Sequence, residues 1–501
     1  MKLQYFVLAF VMCCIFTVGA FAATIKVPTD QPTIEDAIAA ASSGDEILVE
    51  SGAYDYTSSG GISVNVTNLT IRGEGASSTI LQTAGSSNLF NISASGVTIQ
   101  DMKIEKTDKA NQNIIYIGAN DVTIKDNLIL GQFVMGDGHV DRGMEIAAVS
   151  GLDIQGNTIH SLRQPAYINA ATGSITGNDV YNTKGWVIVS ESNLTFSGNS
   201  WGDGSLPNYY DIAIVQNSPP GANNYTDIAA MSDANNEAVI ENQSYSPALL
   251  SIVHVDASVA TTGNGSVIDP YKTIPEALPR VADGGKIKIA DGSYALSGTL
   301  NIDKSLQLLG ESMAGVSIDA SGNGTGYGIK VEADDVTLYG FTLSPPIVSG
   351  SLGTSGGGGY AIHATFDHGS PYSALSNLTI ENVSIADGNR TGFDIHGYDG
   401  VTLTNLSSTN AAYGNGIQLT GCADATITGC TTSGNAWGGV AVYCSNSSYL
   451  NRASDNITFD FAANSVDESF YVEDQFGLTN TNINVSNWAF GIENDYANDS
   501  N

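Results

Sequence analysis

Three short segments of this chain end in side chains that can carry charge or move a proton. They recur at a spacing of 33 residues and end in Lys330, His363 and His396. Each has an aromatic residue first and Ile third. If those two positions face inward in a strand, the last residue faces outward, because side chains alternate. We predict a column of Lys330, His363 and His396 on one face, with Asp394 beside it.

These residue types suit proton transfer next to a carboxylate. Removal of a proton from the carbon next to a carboxylate needs a cation at that carboxylate and groups that take and give a proton. We expect Lys330 or Arg390 to hold the carboxylate and the histidines His363 and His396 to transfer the proton. Asp394 would orient His396. Further substrate contacts are expected from nearby side chains, namely Arg390, His368, Tyr398 and Tyr443.

The charge of the surrounding chain makes this cluster stand out. The formal net charge is −33, yet Lys330 and Arg390 are the only Lys or Arg residues between Met313 and Asn451. Half of the six histidines lie between residues 363 and 396. A small cationic site on an acidic body can hold a carboxylated sugar. Two other interpretations remain open: binding without turnover, and an ordinary solvated strand surface.

The strands that must position these residues repeat along the sequence. From Thr391 to Ser445, Phe393, Ile417 and Val440 fall 24 and 23 residues apart. Each belongs to a short alternating strand that a Gly- or Asn-containing turn follows. Strands that recur at this spacing without helices between them indicate a solenoid. We therefore predict an all-β fold, a parallel β-helix.

A duplication divides the chain. A helix, strand and turn unit from Thr33 to Tyr54 returns 240 residues later, from Thr273 to Tyr294. We expect two tandem parallel β-helix domains, residues 24–250 and 251–491, each with an N-terminal capping helix, followed by an acidic tail at 492–501. In the first domain, a ladder of stacked side-chain amides is predicted from four regularly placed residues, Asn127, Asn157, Asn178 and Asn199.

The duplicated unit resembles the N-terminal region of the pectin-lyase-like β-helix superfamily. The Thr-Ile-x-x-Ala-Ile/Leu helix and the Ile-x-Val/Ile…Gly-x-Tyr strand and turn carry this resemblance. It implies a right-handed parallel β-helix. A fold of this kind does not by itself fix an activity.

A second resemblance lies at the candidate site. The run Gly392 to His396, which follows a strand at Asn377–Val383, resembles mannuronan C5-epimerases and alginate lyases. In that family the Asp and His of this run lie in the active site, beside a catalytic Tyr immediately before the Gly and a Lys one turn earlier. Here Thr391 occupies the Tyr position. The resemblance implies lyase or epimerase chemistry on an acidic polysaccharide.

The acidic composition restricts the partners. A pI near 4.1 argues against nucleic acid and anionic lipid surfaces. Calcium could bind through carboxylates, and the loop around His139 offers three, from Asp137, Asp141 and Glu145. A solvated loop is the alternative interpretation, because the spacing is not that of an EF-hand.

The N-terminus and the cysteines concern the compartment. Residues 1–23 have a signal-peptide layout, with Lys2 before an apolar run, and no second long apolar run follows. We expect a secreted or cell-surface protein without a membrane span. Of the cysteines that would remain after cleavage of residues 1–23, Cys422 and Cys444 are nearly one turn apart and could form a disulfide. A structural or adhesive surface protein is the alternative to a polysaccharide-binding one.

Overall fold

The computed structural model describes residues 22–487 except 59, 139–140, 190–191, 216–224, 325, 348–358, 370, 447, 449 and 467–468. The acidic tail and nearly all of the predicted signal peptide lie outside these ranges. Export therefore stays a prediction.

The described chain is a parallel β-helix. In the first half, successive turns place their strands in three rows. Strands within a row pair in parallel. The first row contains Thr24–Val27, Glu46–Val49, Thr70–Gly73, Thr98–Gln100, Thr123–Lys125, Leu152–Gln155, Thr172–Thr176 and Asn193–Ser197. The second contains Gly52–Tyr56, Thr79–Thr83, Lys103–Lys106, Leu128–Leu130, Thr158–His160, Asp179–Tyr181 and Ser200–Trp201. The third contains Ile62–Val64, Phe90–Ile92, Asn113–Ile117, Arg142–Ile146, Gln164–Asn169, Trp186–Val189, Ile212–Val215 and Ile240–Asn242.

The second half repeats this arrangement with longer strands. One row contains Leu249–Val255, Val281–Ile289, Leu306–Gly310, Val336–Ser344, Leu375–Ala386, Tyr398–Thr404, Ala423–Thr428, Asp455–Asp460 and Thr481–Ser486. Another contains Gly292–Ala295, Val316–Asp319, Ser407–Thr409, Thr431–Ser433 and Ser465–Val466. Two long strands, Val336–Ser344 and Leu375–Ala386, run through both of these rows. We call the last row the groove sheet: Leu300–Ile302, Ile329–Val331, Ile362–Ala364, Phe393–His396, Asn415–Thr420, Gly438–Tyr443 and Phe470–Glu473.

Alternation of side chains builds the core. Ile71, Ile99, Ile124 and Ile154 pair in register from turn to turn and are fully buried. Burial of such a side chain contributes about 1.5–3 kcal/mol. The intervening residues face outward, so a residue's chemistry reaches the surface only from every second position.

An asparagine ladder closes one corner of the first half, as predicted. Asn127, Asn157, Asn178 and Asn199 are buried, and each side-chain nitrogen donates to the next Oδ1 at 3.0–3.1 Å. The series continues to Asn235, which the sequence pattern does not reveal. The left-handed backbone lies one residue before the ladder residues, for example at Asp126 and Gly156. The ladder residues themselves are therefore free to point inward.

Helices are few: Ile34–Ala40, Ile228–Asp233, Ile274–Ala277 and the 3₁₀ turn Ser321–Asn323. Thr33 caps the first, accepting a hydrogen bond from Asp36 N at 3.1 Å. Among the described residues, none of these helices has the length and apolarity needed to cross a bilayer.

The junction of the two halves is where the strand direction changes. Leu249–Val255 pairs antiparallel with Ile240–Asn242 and parallel with Val281–Ile289. The buried apolar side chains form two large clusters, one mostly before and one mostly after this junction. Two separate domains and a capping role for the helices stay predictions.

Candidate functional site

The groove sheet carries the residues singled out from the sequence. Ile329, Ile362 and Phe393 pair in register and are fully buried. The next residue of each strand faces outward, which brings Lys330, His363 and Asp394 into register. The predicted common face is therefore present.

The prediction of a column of Lys330, His363 and His396 is wrong for His396. His363 pairs with Asp394, 31 residues later, and not with His396. The turn between these strands is two residues shorter than the 33-residue spacing implies. His396 lies two positions further along the same face, in register with Thr420.

The carboxylate of Asp394 bridges the two histidines. His363 Nδ1 lies 2.7 Å from Asp394 Oδ2, and His396 Nε2 lies 2.9 Å from Asp394 Oδ1. Only 1% of the Asp394 side chain is exposed, against 14% and 26% for His363 and His396. An ionised carboxylate only accepts hydrogen bonds, so both of these ring nitrogens carry a proton. His363 Nε2 is left as the basic atom of its ring.

The electrostatics favour an ion pair within this group. Burial alone would raise the pKa of Asp394, but the charge of His396 and hydrogen bonds from both imidazoles outweigh it and lower the pKa. Burial opposes protonation of His396, yet the charge and hydrogen bond of Asp394 raise its pKa. The group therefore combines an ionised Asp394 with a His396 that stays protonated to higher pH than an ordinary histidine.

Arg390 and three aromatic rings stand beside this group. Tyr327 stacks on His363 at a centroid distance of 4.7 Å. Arg390 donates from Nη2 to the Tyr360 hydroxyl at 2.6 Å, and its guanidinium lies over the rings of Tyr360 and Trp437. Arg390 is 7% exposed, and its buried Nε has no hydrogen-bond acceptor among the described residues. Within the described part of the chain Arg390 is held by aromatic rings and has no carboxylate partner, an arrangement that suits an anionic ligand.

These residues line a groove of about 760 Å³ on the outer surface of the solenoid. Its lining crosses several turns and mixes imidazole, aromatic, amide and hydroxyl groups. The lining consists of Tyr327, Tyr360, His363, Thr365, Phe366, His368, Arg390, Asp394, His396, Gln418, Thr420, Trp437, Tyr443, Cys444, Ser445, Asn446, Glu473, Gln475 and Phe476. Such a long, polar and aromatic surface fits an extended polar chain.

Lys330 does not line the groove. Its Nζ forms a salt bridge of 2.5 Å with Glu332, which also contacts His368 Nδ1 at 2.9 Å. Burial alone would raise the pKa of Glu332, but hydrogen bonds from Lys330 and His368 lower it. Lys330 is therefore paired with a carboxylate of this chain, whereas Arg390 lines the groove. His368 lines the groove, and its contact with a substrate stays a prediction.

The two predicted tyrosines differ. Tyr443 lines the groove, where burial raises its pKa. Tyr398 is fully buried in the core, and its hydroxyl donates to Ala333 O at 3.0 Å, so the prediction that it contacts substrate is wrong. The left-handed Gly397, with φ of 65°, interrupts the alternation after His396 and turns Tyr398 inward.

The predicted disulfide is not formed. Cys422 and Cys444 are free and buried. Because Thr420 pairs with Tyr443, Cys444 follows its strand by one residue and Cys422 by two. Their thiols also point to opposite turns, Cys422 to Ile395 O and Cys444 to Leu478 O. Cys430 is a buried thiol, as expected.

The three carboxylates proposed for calcium have other surroundings. Asp137 accepts from Lys109 at 2.8 Å, and Glu145 from Arg142 at 3.3 Å. Asp141 is 1% exposed, and His139 lies outside the described residues. Two of the three carboxylates thus have cationic partners, and calcium binding here stays a prediction.

One group of potential metal ligands is found among the described residues. The ligand atoms of His363, Asp394 and His396 lie within 4.8 Å of one another. Two imidazoles and one carboxylate suit a transition metal better than calcium. Their spacing, however, is that of direct hydrogen bonds, and these hydrogen bonds account for all three side chains without an ion.

Several residues that line the groove were not predicted from the sequence. Tyr327 and Tyr360 were predicted to face inward, but each precedes its strand, where strict alternation has not begun, and both lie at the groove. Gln418 pairs with Asp394, as its place in the repeat could have indicated. Trp437 and Phe476 are each 50% exposed and stand in turns, for which the strand period carries no signal.

Comparison with known proteins gives similarity of fold. No family model and no curated protein sequence matches the chain. Among solved structures it is similar to the A-module of the Azotobacter vinelandii mannuronan C-5 epimerase AlgE6, at 13% identity and a TM-score of 0.24, covering 79% of this chain and 93% of that one. It is similar to the PL6 family alginate lyase AlyGC, at 11% identity and a TM-score of 0.25, covering 93% and 100%. A GH87 alpha-1,3-glucanase from Streptomyces thermodiastaticus matches at 13% identity and a TM-score of 0.26, covering 92% and 70%. These similarities concern the fold alone.

Proposed function

We propose that the groove binds an extended acidic polysaccharide and that its histidine pair transfers the C5 proton of a uronate unit. The observation that carries this proposal is the bridging of His363 and His396 by the buried Asp394, next to Arg390. Side chains that merely solvate a strand do not need a buried carboxylate between them. An exported protein would meet such glycans outside the cell.

The assigned roles follow from the hydrogen bonds. Arg390 holds the sugar carboxylate, into which charge spreads when the C5 proton leaves. His363 Nε2 takes that proton, since Asp394 fixes the proton of this ring on Nδ1. His396, kept protonated by Asp394, gives a proton. Of the two cations expected to hold the carboxylate, Lys330 and Arg390, this assignment keeps Arg390.

Elimination is the chemistry that this arrangement serves best. The C5–H bond breaks, its electron pair forms the C4=C5 double bond, the C4–O bond breaks, and the leaving oxygen takes a proton from His396. The two imidazoles stand side by side, with ring centroids 5.4 Å apart, and so reach the same face of a sugar. Epimerisation requires a proton donor on the opposite face.

Binding without turnover is the second candidate. Thr391, at the position of the catalytic Tyr in the resembling family, is 1% exposed and accepts from Asn415 N. It cannot act as the tyrosine does. Of the tyrosines in the groove lining, Tyr443 lies in the column of His396 and has a hydroxyl that already accepts from Asn415 at 3.4 Å.

The test is exchange of the C5 proton with solvent. Full-length protein is incubated in heavy water with oligomers of alginate and of pectate, and NMR follows deuterium at C5 and unsaturated ends. His363→Gln should lower the rate about 10²–10⁴-fold, the usual contribution of a general base. The matched control is His160→Gln, because His160 also stacks on a tyrosine, Tyr181, at 4.5 Å.

The outcomes separate the candidates. Exchange that depends on His363 but not on His160 supports the proton-transfer role. Binding of the oligomers with neither exchange nor unsaturated ends leaves the second candidate. If no acidic oligomer binds the wild-type protein, both candidates are wrong.

A further inference from the structure

The charge of the groove lining differs between its two ends. Arg390 and Trp437 precede their strands of the groove sheet, whereas Glu473 is the last residue of its strand, three turns beyond Phe393–His396. The register His396, Thr420, Tyr443, Glu473 fixes this offset. Three strand spacings amount to about 14 Å. Glu473 therefore lies at the corner of the groove diagonally opposite Arg390.

Glu473 is the acidic residue at that end. Its carboxylate has no salt bridge within the described chain, and its charge contributes to raising the pKa of Tyr443, after burial. The other groove residues there are uncharged: Ser445, Asn446, Gln475 and Phe476. An incoming sugar carboxylate would meet an unshielded like charge at this place.

Phe476 provides a second, independent observation. Its backbone has φ of 59°, in the left-handed region that aromatic residues rarely adopt, and its side chain is 50% exposed. Such strain often accompanies a functional requirement. An exposed ring beside amide groups suits the apolar face and hydroxyls of a neutral sugar.

We propose that Glu473 and Phe476 form a subsite for an uncharged sugar unit, so that the groove selects a glycan with a carboxylate at Arg390 and a neutral or esterified unit at Glu473. The Glu473 carboxylate accepts hydrogen bonds from sugar hydroxyls and repels a second carboxylate. This inference rests on the proposed acidic glycan in the same groove. It makes a mixed or partly esterified uronan the preferred ligand over a fully charged one.

The experiment compares two probes on the full-length protein. Oligouronates from pectate and alginate are used fully charged and partly esterified, and calorimetry gives both dissociation constants. The wild-type protein should prefer the esterified oligomer roughly fivefold, as expected for one pair of like charges near solvent. Glu473→Gln should abolish the preference, because the fully charged oligomer should bind this variant more tightly. Phe476→Ala should weaken the binding of both oligomers.

Glu381→Gln is the matched control, because Glu381 lies in a strand outside the groove sheet and its carboxylate accepts from Asn382 at 3.3 Å. It should leave both affinities unchanged. An unaltered preference in Glu473→Gln overturns the subsite while leaving the proposed function standing. Weaker binding of the charged oligomer in that variant, or a calcium-dependent gain that the variant loses, would mean that Glu473 recruits a cation and would also overturn it. Absence of any binding to the wild-type protein counts against the proposed function itself.

Discussion

Replacement of Asp394 by Asn probes the group on which the candidate site depends. The carboxylate accepts from both imidazoles, whereas an amide has one acceptor atom and a nitrogen that donates. One of the two hydrogen bonds must therefore be lost or reversed. Loss of a hydrogen bond to a charged group costs about 1.5–3 kcal/mol. We expect the free energy of unfolding to fall by about 2–3 kcal/mol in Asp394→Asn at neutral pH.

The pH dependence of this loss is more diagnostic than its size. In the folded wild-type protein the pKa of His396 is raised above 6.5, so its contribution is complete below that pH and disappears as the pH rises through the raised value. The lowered pKa of Asp394 gives a contribution that is present above pH 3.8 and is lost as the pH falls further. The difference between wild type and Asp394→Asn should therefore shrink from pH 6.5 to a pH above the raised pKa of His396.

Urea denaturation at these two pH values measures the effect, with Asp211→Asn as the matched control. Asp211 is also buried, and accepts from Val239 N and Asn208 Nδ2 without a histidine partner. Burial raises its pKa to about 6, so its effect is constant above that pH. If Asp394→Asn shows the same loss at both pH values, as the control should, then Asp394 does not hold His396 protonated and the reasoning fails.

Two further replacements test the scaffold. Asn157→Ala removes a ladder amide that accepts from one neighbour and donates to the next, and should lower the free energy of unfolding by about 3 kcal/mol. The control Asn193→Ala changes an exposed residue and should lower it by about 0.5 kcal/mol or less. Urea denaturation measures both values. Tyr398→Phe removes the hydroxyl that donates to Ala333 O, and should cost about 1 kcal/mol while calorimetry finds unchanged affinity for oligouronates. Equal losses in the two Asn variants, or weaker glycan binding in Tyr398→Phe, would contradict these assignments.

The fold could be predicted because its signal is local and repeated. Strand alternation identifies the inward residues, and the Asn127 to Asn199 spacing identifies the ladder, whose hydrogen bonds the structure contains. Asn235 was missed because it follows a short helix and not a strand of the repeat. The helix at Ile34–Ala40 was also predictable, since its cap and apolar spacing lie within a few residues.

For the site, the sequence predicts which face of the strands carries the residues but not their order across neighbouring strands. Side-chain direction follows from the two-residue period of a strand, which placed Lys330, His363, Asp394 and His396 together. Their order across neighbouring strands depends on the length of the intervening turn, for which the sequence carries no comparable period. Tyr398 shows the same limit, since a single left-handed residue before it reverses its direction.

The two-residue difference between turn lengths makes the pairing at the site adjustable by a short deletion. His363 faces Asp394 because the turn between their strands is short by one alternation period. Removal of two residues from that turn, with its path unchanged, would keep every apolar side chain inside and set His396 opposite His363, so that the core stays intact but the partner of the base changes. A change of loop length alone would thus change the chemistry of the site, without a substitution in the groove sheet.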